Sequence, residues 1–322
     1  MRFSSDEIAA ALATVRAALP PTPQYRWPLI EQALGAEVWI KHENHTPVGA
    51  FKVRGGLTYF EELRRTQPEV RQVISATRGN HGQSVGFAAR RHGLQATIVV
   101  PHGNSVEKNA AMRALGVELV EHGEDFQAAS DHAAALASAH GLHRIPSFHR
   151  ELVRGVATAY VEFFEATKAA GGAPDVLFVP IGLGSGFAGA AAARAYCGVS
   201  TRLVGVVSAH ADASLQSWRS GMLVDSPANT CLADGMACRL PVAEAMAVVR
   251  AEAEDVVAVT DDEVAAAMRL LYTATHNVAE GAGAAALAAA MQQRRFWAGQ
   301  RIGVALTGGN VDAPLFAEVL AG

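Results

Sequence analysis

Short runs of β-branched residues alternate with alanine-rich stretches along most of this 322-residue chain, and this alternation limits its fold more than any other feature. The runs RQVISA, ATIVV, VELVE, DVLFVPIG, RLVGVVS and RIGVALTGG have the composition of buried strands. Stretches between them, such as VEKNAAMRALG and GFAGAAAARAYCG, have helical spacing and end in glycine. Because such alternation produces sheets covered by helices on both faces, we expect an α/β fold with open, largely parallel sheets.

Composition excludes several classes of partner. The 27 basic and 31 acidic residues give a formal net charge of −4, so there is no basic surplus to bind nucleic acid. No apolar run is long enough to span a bilayer, and the opening MRFSSDEIAA lacks the apolar core of a signal peptide. The cysteines Cys197, Cys231 and Cys238 are few and lack metal-ligand spacing. We therefore expect a cytoplasmic protein with no membrane partner.

Three glycine-bearing loops follow predicted strands, where α/β folds place their binding sites. They are SATRGNHGQS, PIGLGSGFAG and LTGGN. A fourth segment, HTPVGAFKVRGG, sets Lys52 in a short, mostly uncharged stretch between glycines. A desolvated lysine becomes a nucleophile, although an ordinary surface lysine beside a turn is the simpler interpretation. We expect the four segments to converge on one cleft.

The loop GLGSGFAG is suited to a phosphate. Gly182, Gly184 and Gly186 allow close backbone approach, and the helix that follows presents the positive end of its dipole. The loop also satisfies G-x-G-x-x-G, but Ser208 stands where a dinucleotide fold needs an acidic residue. The alternative is that the glycines serve only helix–strand packing. A phosphate site, an unusual lysine and no dinucleotide acid together indicate pyridoxal 5′-phosphate.

Five motifs resemble those of fold-type II pyridoxal-phosphate enzymes, in particular the serine/threonine dehydratase group. They are KHENHTPVGAFKVRGG, TRGNHGQS, GLGSG, VAEGAGAAALAA and LTGGN, which follow the order found in that family and span nearly the whole chain. The resemblance implies two domains: a small one at residues 48–143, inserted in a large one formed by 1–47 and 144–322. It also implies a homodimer and, since the chain stops at Gly322 without an effector domain, an unregulated catabolic enzyme.

The resemblance implies a role for each site residue. Lys52 would bond the cofactor aldehyde and later remove the substrate α-proton, and Asn80 would hydrogen-bond the cofactor 3′-oxygen. Thr307 would meet the ring nitrogen with a neutral hydroxyl, so that elimination is favoured over transamination. Further cofactor contacts would come from Phe51, Gly182, Gly184, Ser185, Gly186 and Glu280. The substrate α-carboxylate would bind at the loop carrying Thr77, Arg78, Asn80 and His81.

The implied reaction converts a β-hydroxy-α-amino acid of the threonine or serine type into a 2-oxo acid and ammonia. Two departures from the family pattern leave the substrate open. Ala50 replaces the usual serine, and Arg78 replaces a small residue. An always-charged guanidinium cannot act as the second base of a racemase. Arg78 either pairs with a substrate acid group or, the interpretation that we favour from sequence, forms a structural salt bridge.

Several alternatives remain at this point. The same chemistry could act on phenylserine or 3-hydroxyaspartate, or the chain could bind the cofactor without turnover. The segment VVSAHADAS stands where some relatives bind a divalent cation, but it lacks the expected glutamate, so we expect no metal site.

Overall fold

The computed structural model describes residues 1–322 and contains ten strands and thirteen α-helices. The strands are β1 (Gln24–Arg26), β2 (Glu37–His42), β3 (Gln72–Ala76), β4 (Gln95–Val100), β5 (Glu118–Glu121), β6 (His143–Arg144), β7 (Val176–Pro180), β8 (Arg202–Ser208), β9 (Ala253–Val259) and β10 (Arg301–Leu306). The helices are α1 (Ser5–Arg16), α2 (Pro28–Leu34), α3 (Lys52–Thr66), α4 (Asn80–Arg91), α5 (Val106–Ala114), α6 (Phe126–His140), α7 (Arg150–Ala169), α8 (Ser185–Cys197), α9 (Ala213–Ser220), α10 (Ala243–Glu252), α11 (Asp261–Thr275), α12 (Gly281–Gln292) and α13 (Ala313–Ala321).

The strands form two sheets. One has six strands in the order β1-β2-β10-β7-β8-β9, and the other has four in the order β5-β4-β3-β6. Every pairing between strands is parallel except that of β1 with β2. The predicted α/β fold with largely parallel sheets is therefore confirmed.

The predicted strands all appear in the structure, but four further strands were missed. β1 and β6 have only three and two residues, too few to show a period. In β2, EVWIKH carries charged residues, yet Lys41 and His42 are fully buried because they pair with other side chains. β9 follows α10 directly, with no glycine or proline to mark the change.

The segment around Lys52 was expected from sequence to be a short stretch between glycines, but the structure shows the start of a helix. Lys52 is the first residue of α3, so Gly55 and Gly56 lie inside a helix and shape no turn. A Cβ atom on Gly55 would lie 2.7 Å from the carbonyl oxygen of Leu152 on α7. These glycines are therefore needed because α3 packs closely against its neighbours.

The two sheets divide the sequence unevenly. The four-stranded sheet uses only residues 72–144, and the six-stranded sheet uses strands from both sides of that segment. The exact domain limits, 48–143 within 1–47 and 144–322, stay predictions. No helix of the structure is both long and apolar enough to cross a bilayer.

Candidate active site

One cavity of about 970 Å³ receives loops from both sheets. The four segments that were expected to converge all contribute to its wall. Every residue predicted for the site lines it: Phe51, Lys52, Thr77, Arg78, Asn80, His81, Gly182, Gly184, Ser185, Gly186, Glu280 and Thr307.

Lys52 lies in the wall of this cavity at the first turn of α3. Its Nζ atom is 3.3 Å from the Oγ atom of Ser185, to which it donates a hydrogen bond. Burial lowers the pKa of this amine to about 8, although the charge of Glu280 acts in the opposite direction. At pH 7 about a tenth of Lys52 is therefore a neutral nucleophile, against less than about a thousandth of a lysine with a pKa of 10.5.

The glycine loop ends at an uncapped helix N-terminus. Helix α8 begins at Ser185, and its N-cap, Gly184, has a φ of 93° and provides no side-chain cap. A Cβ on Gly182 would lie 2.5 Å from the carbonyl oxygen of Gly235, so no side chain fits there. The backbone N–H groups of the loop and of the first turn therefore remain open to an anion in the cavity.

The amide of Asn80 is fixed from two sides. Its Oδ1 atom accepts a hydrogen bond of 2.8 Å from Asn310 Nδ2, and its own Nδ2 donates one of 2.5 Å to Glu280 Oε1. Asn310 Nδ2 also donates to the carbonyl oxygen of Val48. Because an amide nitrogen carries two hydrogens and one of them bonds Glu280, Asn80 keeps one N–H for a ligand.

Glu280 is buried and belongs to a chain of charges. Lys108 Nζ donates to Asp234 Oδ2 at 2.7 Å and lies 3.2 Å from Glu280 Oε2, without the geometry of a hydrogen bond. Burial raises the pKa of Glu280, and the charge of Lys108 opposes this. Lys108 itself has a raised pKa, because the attraction of the two carboxylates exceeds the cost of its burial. This cation remains charged beside Glu280.

Thr307 contributes a neutral hydroxyl group to the wall of the cavity. It follows β10, and its hydroxyl has only a long contact of 3.4 Å with the carbonyl oxygen of Ala282. The hydroxyl is therefore available to a ligand as donor or acceptor.

Two side chains near the start of α4 have unpaired buried nitrogens: Arg78 Nε in the preceding loop and His81 Nε2 in the first turn. Burial and the charge of Lys52 lower the pKa of His81 to about 3, so its imidazole is neutral. Arg78 forms no ion pair and no hydrogen bond with any side chain. The structural salt bridge expected for Arg78 from sequence is therefore wrong, because no carboxylate lies within pairing distance of its guanidinium.

These features fit pyridoxal 5′-phosphate. The open N–H groups at Gly184 and Ser185 suit its phosphate, and the free N–H of Asn80 suits its phenolic oxygen. The neutral amine of Lys52 lies within reach of the phosphate loop and suits its aldehyde. The roles of the individual residues stay proposals.

Three residues of the site were missed from sequence. Lys108 and Asp234 line the cavity, and Asn310 holds Asn80 from behind. Asn310 lies within LTGGN, but the motif alone does not reveal what its amide bonds. Lys108 is an ordinary helical lysine in VEKNAAM, and nothing local predicts that it reaches residues more than a hundred positions away.

The sequence matches one family model over most of its length. That model, described as "pyridoxal-phosphate dependent enzyme", matches residues 15–308. An L-threo-3-hydroxyaspartate ammonia-lyase from a Pseudomonas species is 32% identical over 305 residues, covering 94% of this chain and 93% of the relative. An L-threonine ammonia-lyase from Geobacter sulfurreducens is also 32% identical, over 292 residues that cover 90% of this chain and 71% of the relative.

Solved structures show the same architecture. The processed form of threonine deaminase isoform 2 from Solanum lycopersicum superimposes with a TM-score of 0.88 at 29% sequence identity. The match covers 100% of this chain and 95% of the tomato chain. The match therefore includes both sheets.

Proposed function

The chain belongs to the family of pyridoxal-phosphate dependent enzymes, and from this premise we propose that it is an ammonia-lyase acting on a β-hydroxy-α-amino acid. The reaction removes water across the α and β carbons and then releases ammonia, leaving a 2-oxo acid. One observation carries the proposal. Lys52 has a pKa of about 8 and lies 3.3 Å from the hydroxyl at the start of the phosphate-binding helix.

Bound pyridoxal phosphate supplies an electron sink that acidifies the Cα–H bond of the amino acid attached to it. The residues of the chain orient the cofactor and the substrate. Asn80 and the first turn of α8 would hold the phenolic oxygen and the phosphate of the cofactor, which would orient it relative to Lys52. The first turn of α4, with Thr77, Asn80 and His81, holds the substrate α-carboxylate.

Proton transfer is assigned to Lys52. Its amine of lowered pKa would act as the general base that takes the substrate α-proton. The hydrogen bond from its Nζ atom to Ser185 Oγ would limit the positions that the amine can reach.

The neutral partner of the ring nitrogen favours elimination. Thr307 offers a hydroxyl, which cannot keep a pyridine nitrogen protonated as a carboxylate does. The cofactor ring then withdraws electrons less strongly, and loss of the β-hydroxyl is favoured over transamination. This supports a lyase rather than an aminotransferase.

The test compares two lysine variants. We expect Lys52→Ala to lose the visible absorbance of the bound cofactor and release of 2-oxo acid and ammonia from β-hydroxy amino acids, by at least about a thousandfold. Lys168→Ala is the matched control, because Lys168 is exposed on α7 and donates only to the carbonyl oxygen of Cys197. Full turnover by Lys52→Ala, or no cofactor absorbance in the native chain, would overturn the proposal.

We further propose that the enzyme works in the cytoplasm as a homodimer. All three cysteines are free thiols, which supports a reducing compartment. Large apolar side chains such as Leu29 and Phe296 remain exposed, and a second copy could cover surfaces of this kind. Sedimentation equilibrium should give twice the 33.7 kDa of one chain, and cell fractionation should recover the enzyme with cytoplasmic markers.

A further inference from the structure

Arg78 is a cation of the cavity that no acid neutralises. Its Nε atom is buried without a hydrogen-bond partner, and its guanidinium makes no ion pair. The other cations of the wall are accounted for: Lys108 pairs with Asp234 and Glu280, and Arg239 pairs with Asp125 and Asp225. Lys52 is reserved for the cofactor.

A partly buried guanidinium without a counterion is costly, because its lost hydration is not repaid by any protein group. Such a cost is tolerated where a ligand supplies the missing charge. Carboxylate is the group that a planar guanidinium binds best, through two parallel charge-assisted hydrogen bonds. The buried, unpaired Nε of Arg78 is one of the donors that such a pair uses.

The cofactor phosphate and the substrate α-carboxylate each have a candidate site other than the Arg78 guanidinium. The phosphate has its own site at Gly184 and Ser185 on the other sheet. The α-carboxylate has the uncapped N-terminus of α4, whose first residue is Asn80. Arg78 lies beside that second site and adds a full positive charge to it. A substrate with a single carboxylate would leave this extra charge without a partner.

Acidic residues at the cavity mouth do not cancel this charge. Asp125 and Asp225 both form ion pairs with Arg239, and Asp234 forms one with Lys108. Glu124 is the one acid of the wall without an ion pair, and it is exposed to solvent. Arg78 is therefore the one cation of the wall that neither pairs with a carboxylate nor is reserved for the cofactor.

We propose that Arg78 is a specificity-determining residue that binds the side-chain carboxylate of an acidic substrate, so that the enzyme prefers a β-hydroxy amino acid of the 3-hydroxyaspartate class over threonine or serine. This rests on the proposed lyase function and names the substrate of the same site. A site built to pair a charged group rejects analogues that lack it, because the buried donor is then left unpaired.

The first test measures kcat/KM for L-threo-3-hydroxyaspartate, L-threonine and L-serine. The native enzyme should prefer the acidic substrate by about a hundredfold or more. Arg78→Ser should lose about a hundredfold on the acidic substrate and less than tenfold on threonine. Arg90→Ser is the matched control, since Arg90 is exposed in the last turn of α4, the helix that follows Arg78, and forms no ion pair.

The second test measures binding without turnover. L-malate and L-lactate differ by a carboxylate and lack the reactive amine, and calorimetry on the cofactor-loaded enzyme gives their dissociation constants. Malate should bind at least tenfold more tightly than lactate to the native enzyme, and Arg78→Ser should remove the difference. Arg78→Lys should restore part of it, because a lysine supplies charge without the bidentate geometry.

The outcomes separate this inference from the lyase proposal. Turnover of threonine or serine with no preference for the acidic substrate leaves the lyase function intact and overturns the role of Arg78. Equal losses on all substrates in Arg78→Ser also overturn it, because the residue would then bind the common α-carboxylate. No turnover of any β-hydroxy amino acid by a cofactor-loaded enzyme would reject the lyase function itself.

Discussion

At the scale of single residues, the pKa of Lys52 sets how the cofactor is loaded. Only a neutral amine attacks an aldehyde, and burial lowers the pKa of Lys52 from 10.5 to about 8. The rate of cofactor incorporation into cofactor-free protein should therefore rise about tenfold per pH unit below 8 and level off above it. Stopped-flow absorbance measures this profile. A midpoint near 10.5 would show that the lysine is solvated.

Asn310 is a positioning residue for Asn80. Asn310→Ala removes the donor to Asn80 Oδ1, so the Asn80 amide can rotate and present its oxygen to the cofactor. The loss of one hydrogen bond, about 1 kcal/mol, should weaken cofactor binding about fivefold to tenfold. Titration of the cofactor absorbance measures this dissociation constant.

Asn104→Ala provides the comparison for Asn310→Ala. Asn104 lies in the loop before α5, and its amide donates only to Asn109 Oδ1. Its loss should therefore leave the dissociation constant of the cofactor unchanged. Equal weakening in both variants would mean that Asn310 acts through general stability. Unchanged affinity in Asn310→Ala would show that Glu280 alone orients Asn80.

The sequence was most informative where a residue type is itself diagnostic. Lys52, Asn80 and the glycines of the phosphate loop lie in short motifs whose chemistry can be inferred locally, and all of them reach the cavity. The unpaired state of Arg78 could not be predicted, because it depends on which carboxylates fail to reach it. The same limit hid Asn310, whose partner lies 230 positions away in sequence.

At the scale of elements, a buried ion network fixes the helix that carries Lys52. Arg54, in the first turn of α3, bonds Glu43 and Glu162, and Lys41 bonds Glu162 at 2.9 Å. All four side chains are at most 3% exposed. Two cations and two anions balance, so the network holds α3 against β2 and α7 without a net buried charge.

Glu162→Gln should strongly destabilise the protein. The change leaves Lys41 and Arg54 with one carboxylate, Glu43, between them, and an uncompensated buried charge costs about 3–5 kcal/mol. Urea unfolding measures the loss. Because α3 begins at Lys52, we also expect weaker cofactor absorbance at denaturant concentrations where the chain is still folded.

Glu165→Gln on the same helix is the matched control. Glu165 is 52% exposed and pairs with an exposed arginine, Arg16, at 3.5 Å. Exposed pairs contribute little, so its loss should change the free energy of unfolding by less than about 1 kcal/mol. If the two variants were equally stable, the buried network would not hold α3.

The elements were predicted well where the residue pattern ran long enough, as in α8 and β8, and poorly where burial contradicts residue type. Lys41 and Glu43 are charged residues in buried positions, so their strand and turn looked like surface. Their burial becomes intelligible only when Arg54 and Glu162, from two other elements, are brought beside them.

At the scale of the whole molecule, α5 and α13 join the two sheets by a reciprocal exchange. Asp312 accepts hydrogen bonds from the Ser105 hydroxyl and from the backbone N–H of Val106 and Glu107. In return, Glu107 Oε1 accepts one from the N–H of Ala313 at 2.8 Å. Each helix N-terminus is thus capped by a carboxylate from the opposite side of the cavity.

Asp312→Ala should weaken the contact between α5 and α13 without releasing the cofactor. It removes the acceptor for three donors, about 1–2 kcal/mol, while leaving the cofactor contacts in place. We expect faster amide exchange at residues 105–108 and a KM raised several-fold, with unchanged cofactor affinity. Asp262→Ala, at an exposed position in the first turn of α11, is the control. Unchanged exchange in Asp312→Ala would show that Asp312 does not hold α5 in place.

The order of the strands also dictates when during synthesis this site can exist. β2 pairs with β10, which leaves the ribosome more than 250 residues later. The hydrogen-bond partners of Asn80, Glu280 and Asn310, are also synthesised near the end of the chain. The four-stranded sheet can close early, since its strands all lie between residues 72 and 144. Until the last segment emerges, Lys52 has no finished pocket around it. The cofactor is therefore acquired only by a nearly complete chain, and a nascent chain stalled before β10 would not retain it.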